Sequence, residues 1–140
     1  MDRFNIGEIF KLCVAAGGGC ISYLFGGWSI LLQILLAFVV IDYITGVLAS
    51  GIEGKLSSSV GMRGIAKKVF IFVIVAVAHL ADTAIGNGNF LMDAAIFFYI
   101  ANELLSIIEN AGRVGLPIPE ILKQAVEVLK GRAQPQKKEV

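Results

Sequence analysis

Long apolar runs, broken by short polar punctuation, dominate this chain. Lys and Arg are absent from Leu12 to Gly54 and again from Val69 to Gly112. Each gap exceeds the ~20 residues that one helical membrane crossing needs. In the first gap, the run from Trp28 to Ile41 has only Ser29 and Gln33 as polar interruptions, and Trp28 sits where an interfacial aromatic belongs. The second gap is divided by Gly86-Asn87-Gly88-Asn89, a strong turn signal. The pattern predicts three spans, about 28–49, 65–85 and 90–108, in a membrane domain of residues 28–110.

Residues 1–27 read less simply. Ile6, Ile9, Phe10, Cys13, Val14 and Ile21 recur at helical spacing. Only Leu12 to Phe25 is free of charge, and it contains Gly17-Gly18-Gly19. This stretch is expected to be an amphipathic helix in the interface plane, a helix packed on the bundle, or a fourth spanning helix. Glu8 and Lys11 interrupt the apolar run, so no cleavable signal peptide is expected. Beyond the last span, Gly115-Leu116-Pro117-Ile118-Pro119 breaks the helix. Residues 111–131 then predict an amphipathic helix, with Ile121, Leu122, Ala125, Val126 and Leu129 on one side and Glu120, Lys123, Glu127 and Lys130 on the other. Residues 132–140 read as a disordered basic tail.

Composition decides the class. Hydrophobic residues make up 56% of 140 residues and charged ones 16%, and the mean hydropathy is +0.79. A chain this short buries well under ~75% of its unfolded surface, so it cannot hide that much apolar material in a soluble core. Disorder is excluded for the same reason. A formal net charge of +1 gives no basic field for nucleic acid. The expected fold is an all-α integral membrane protein.

Charge then sets topology. Lys55, Arg63, Lys67 and Lys68 fall in the first loop, and six further cations follow the last span, so ten of twelve lie on one side. The positive-inside rule makes that side, with the C-terminus, cytoplasmic. The N-terminus is then outside with three spans and inside with four. The basic loop and the C-terminal helix are expected to lie against anionic lipid.

Two cysteines and one histidine are too few for a zinc site or a disulfide framework, and no cofactor is expected. Cys13 and Cys20 would share a helical face ~10 Å apart by rise and read as small packing residues. No nucleophile elbow, HExxH or P-loop is present in the sequence, so the chain is not expected to be an enzyme.

The informative chemistry lies in the spans, where ionisable groups are costly and need a reason. The first span carries Asp42 and Thr45, and the second carries His79 and Asp82. The third carries Tyr99, Asn102, Glu103, Ser106, Glu109 and Asn110, a polar stripe at helical spacing. One reading pairs these groups across helices, with His79 partnering Asp82 or Asp42. The other holds that one protomer has too few helices to bury all the acids, so oligomers pool the stripes around a water-filled path.

Asp42-Tyr43-Ile44-Thr45-Gly46-Val47 resembles the Asp-Tyr-x-Thr-Gly signature of a phage lysis holin family that includes clostridial toxin-secretion holins. The stretch Leu56 to Lys68 resembles that family's basic loop, and Asn102 to Asn110 with Gly115-Leu116-Pro117-Ile118-Pro119 resembles its last span and exit. The resemblance covers roughly Trp28 to Lys130. It implies a homo-oligomer in the bacterial cytoplasmic membrane, opening lesions that release an endolysin, or in toxin loci a toxin, and trigger host lysis. The residues alone also admit a small ion- or proton-coupled transporter subunit using Asp42, His79 and Asp82, or a scaffold that moves nothing.

Overall fold

The structure is a computed structural model and describes residues 5–133. It holds five α-helices and no strand among those residues: α1 Ile6–Phe25, α2 Ile30–Ile52, α3 Ser58–Ile85, α4 Phe90–Arg113 and α5 Glu120–Ala133. Helices α1 to α4 are each long and apolar enough to cross a membrane. The tail expected to be disordered lies, from residue 134, outside the described residues.

Local chemistry sets each boundary. Ser29 caps α2 by accepting a hydrogen bond from the Leu32 amide at 3.2 Å, and Ser57 caps α3 by accepting from the Val60 amide at 3.3 Å. A serine cap satisfies one of the four orphan amides that every helix start leaves open. Gly26 and Gly86 end α1 and α3 in the left-handed conformation, at φ of 69° and 79°. The three glycines inside α1 do not break it. Hydrocarbon offers no competing hydrogen-bond partner to a backbone, so glycine's usual weakness in helices matters less there.

Two expectations need correction. The first is the basic loop. Helix α3 begins at Ser58, seven residues before the expected start, so Arg63, Lys67 and Lys68 are helical and only Lys55 remains in the turn. Ser57 supplies a cap, and Met62, Arg63, Ala66, Lys67 and Lys68 are good helix formers that offset Gly61 and Gly64. The second is the environment of α5, which does not stand apart from the membrane domain. It turns back along α4, with Val126 4% exposed, Leu129 against the core, and the Arg132 guanidinium 5.8 Å from the Phe97 ring centroid. Phe97 lies about 24 Å along α4 from Arg113 at 1.5 Å per residue. Val126 and Leu129 of the apolar side of α5 pack toward α4 and the core, while Ile121 and Leu122 of the same side stay exposed.

Helix α4 is the hub and touches α2, α3 and α5. Leu32, Leu35 and Val39 of α2, Ile71 and Val75 of α3, and Met92, Ile96 and Ile100 of α4 form the core. Burying each such side chain is worth about 1.5–3 kcal/mol against water. In lipid, packing rather than water exclusion provides the drive. The outward faces stay apolar, with Ile34, Val40 and Leu48 of α2 and Val69, Val73 and Val77 of α3 exposed. Helix α1 buries no residue and touches only α3. Cys13 and Cys20 are therefore exposed on it and are not packing residues. Phe25 meets Phe72 edge to face at 6.4 Å. That contact holds the C-terminal end of α1 alone.

Candidate functional site

The contact between α2 and α3 is slight compared with the contacts of either with α4. A groove is left between them with α4 as its floor, enclosing a cavity of about 860 Å³. The periodicity of α4 points Tyr99, Asn102, Glu103 and Ser106 into it. Of the stripe read from the sequence, Tyr99, Asn102, Glu103, Ser106 and Asn110 line this opening, and Glu109 does not.

An ion cluster ties the three helices together beside this groove. The Lys68 ammonium of α3 donates to both the Asp42 carboxylate of α2 and the Glu103 carboxylate of α4. Their side chains are only 17%, 9% and 7% exposed. Asp42 also accepts from the Asn110 amide nitrogen at 2.9 Å, and the same nitrogen donates to the Thr45 hydroxyl at 3.0 Å. Arg113 extends the network, donating to the Asn110 carbonyl and the Ser50 hydroxyl, both at 3.2 Å. It closes with a two-point bond to Glu53 at 2.9 and 3.0 Å. Gly46 lies against this network: a Cβ there would sit 3.5 Å from the Asn110 amide nitrogen, an ordinary contact.

Within one chain Asp42 and Glu103 share the single ammonium of Lys68, a residue expected in a lipid-facing loop, while Glu109 stays exposed. Lys68 is the last cation before the second cation-free gap, and that position is the signal that points to it.

Asp82 and His79 also part from expectation. Asp82 is 0% exposed, and its two carboxylate oxygens accept from the Leu91 and Met92 amides at 2.9 and 2.8 Å. It caps α4 from the last turn of α3, a task that Asn89 at the cap position leaves undone. A carboxylate there also meets the positive end of the helix dipole. His79 pairs with neither Asp82 nor Asp42. Its ring packs on Gly26, where a Cβ would approach Cε1 to 2.6 Å, and its buried Nδ1 has no partner among the described residues. Glu109 is exposed and forms no ion pair with a described residue.

At the end of α2, the hydrogen bonds from Arg113 hold the Glu53 carboxyl below the usual carboxylate range, and the charges of Arg113 and Lys55 add to the effect. A depressed folded value means the contribution is complete above the unfolded pKa of about 4.3. It is lost as pH falls through the lower folded value. Thermal unfolding of the detergent-solubilised chain should therefore show Glu53→Gln less stable at neutral pH, with the gap closing in acid. A gap independent of pH would show that the Glu53 charge contributes nothing.

Comparison with known proteins places this architecture. The profile of the bacteriophage holin family matches residues 19–131. The chain belongs to the bacteriophage holin family. A protein of Halalkalibacterium halodurans is 52% identical over 128 residues, covering 88% of this chain and 95% of that protein. A 14.9 kDa protein of Clostridium perfringens is 40% identical over 129 residues, covering 91% and 98%. The "Probable holin" of Bacillus phage phi105 is 36% identical over 108 residues, covering 77% and 79%. No solved structure matches the chain. Holin family membership makes this a non-enzymatic protein, and with four apolar helices it is a multi-pass membrane protein.

Proposed function

We propose that this chain acts as a holin. Copies gather in the bacterial cytoplasmic membrane, associate, and open lesions that release an endolysin, or a toxin, and trigger host lysis. The observation that carries the reading is the open groove over Tyr99, Asn102, Glu103 and Ser106. A polar stripe left unsealed in hydrocarbon gains by meeting water. One ammonium offsets only one of the two carboxylates of Asp42 and Glu103, and a charge left uncompensated at mid-membrane costs about 2.5–3.5 kcal/mol on insertion scales. The outer face of α5 adds a second demand for water, since Glu120, Lys123, Glu127 and Lys130 are all exposed beside a spanning helix.

In this reading the basic end of the bundle is cytoplasmic. The 20 residues of α1 make about 30 Å of helix, enough for a fourth crossing, which brings the N-terminus inside as well. A transporter built on Asp42, His79 and Asp82 finds no support. Asp42 is held by Lys68, Asp82 by α4, and His79 faces α1.

Controlled expression with and without a co-expressed endolysin tests the proposal. Abrupt lysis only when both are present is expected, with its onset shifted by Asp42→Asn and by Glu103→Gln. Dye leakage without enzyme release would mean a smaller channel. Unchanged onset in both variants would remove these two acids from the mechanism.

A further inference from the structure

We propose that the groove between α2 and α3 binds one anionic phospholipid, with its phosphate between Arg63 and Lys67 and an acyl chain running toward Ile74. This inference stands apart from the holin reading and rests on charge and depth.

Four cations line the cavity, and two of them are already engaged: Lys68 by Asp42 and Glu103, Arg113 by Glu53. Arg63 and Lys67 form no ion pair with any described residue. They lie four apart on α3, which puts them on one helical face. One ammonium offsets only one of the two acids at the floor, so with Arg113 met by Glu53 the groove keeps one net positive charge, held at Arg63 and Lys67 on the exposed α3 wall, where it favours an anion from outside the chain.

Depth agrees with a headgroup. The 28 residues of α3 make about 42 Å of helix, some 12 Å more than the hydrocarbon core. Its first two turns therefore reach the headgroup layer, and Arg63 and Lys67 sit at the boundary. Below them Val47, Phe70, Ile71 and Ile74 line the groove with hydrocarbon. From Val60 to Ile74 the cavity follows α3 for about 21 Å. On the floor, Asn102 and Ser106 line the cavity and have polar groups that suit the ester oxygens of a glycerolipid.

The test presents the detergent-solubilised full chain with equimolar dioleoyl phosphatidylglycerol and dioleoyl phosphatidylcholine, and reads bound lipid by native mass spectrometry. One phosphatidylglycerol per chain is expected, with a preference of about 30-fold from two interfacial cations. Arg63→Gln with Lys67→Gln should abolish the preference, while Lys123→Gln with Lys130→Gln on α5 should keep it. Ile74→Trp alters no charge and should lower occupancy by filling the groove. Equal retention of phosphatidylcholine, or preference unchanged in the Arg63/Lys67 variant, would overturn the proposal. Displacement of the lipid by glycerol phosphate at equal concentration would make this a free-anion site instead. Lipid-free dimers as the retained species would give the groove to a second copy.

Discussion

Replacing Lys68 by methionine is expected to destabilise the detergent-solubilised chain by about 3–5 kcal/mol, the usual penalty for removing one partner of a buried ion cluster. The geometry makes this the most damaging single change among the polar residues. One ammonium serves two carboxylates on two other helices, so its loss leaves Asp42 and Glu103 facing each other across α2 and α4. Methionine keeps most of the length and fits apolar surroundings, so the effect isolates the charge. Adding Asp42→Asn and Glu103→Gln to the same chain should recover most of the loss, because the whole cluster is then neutral. Thermal unfolding followed by circular dichroism measures both steps. A Lys68→Met chain as stable as the parent would show that the ammonium does not hold these helices. A triple variant no better than Lys68→Met would show that the loss came from packing.

The spans were legible because hydrocarbon tolerates so few cations. Two long stretches without Lys or Arg, divided by Gly86-Asn87-Gly88-Asn89, placed α2, α3 and α4 to within a few residues except at the start of α3. That start was missed for a physical reason. The apolar residues of the span begin later than the helix does, because the helix starts at a serine cap and carries Arg63, Lys67 and Lys68 within it. The same error hid Lys68 as the partner of Asp42 and Glu103. Those acids were visible as expensive groups, but what relieves them depends on which helices touch, and a single sequence does not state that. The docking of α5 was illegible on similar grounds. Its apolar side suits α4 and a membrane surface equally well, and only the packing of Val126 and Leu129 decides between them.

Asp82 offers the second large effect, because it performs a backbone task from a neighbouring helix. Asp82→Ala is expected to cost about 1–3 kcal/mol, since it strands the buried Met92 amide with no acceptor and leaves the part-buried Leu91 amide to find another. Asp82→Asn should fall between alanine and the parent: it keeps a carbonyl acceptor but loses the charge that opposes the helix dipole and turns an NH2 toward an amide. Both carboxylate oxygens are in use, so neither change can be neutral if the cap is real. A local substitute provides the control. Asn89→Asp in the Asp82→Ala chain returns a carboxylate to the positive end of the α4 dipole, at the cap position itself, and should recover about 0.3–1 kcal/mol. Recovery would identify the loss as one of capping, carried by backbone amides at the α3–α4 turn. An Asp82→Ala chain that unfolds with the parent would mean that these amides find another acceptor. In that case the α3–α4 hairpin would be held by core packing and the Gly86–Asn89 turn alone.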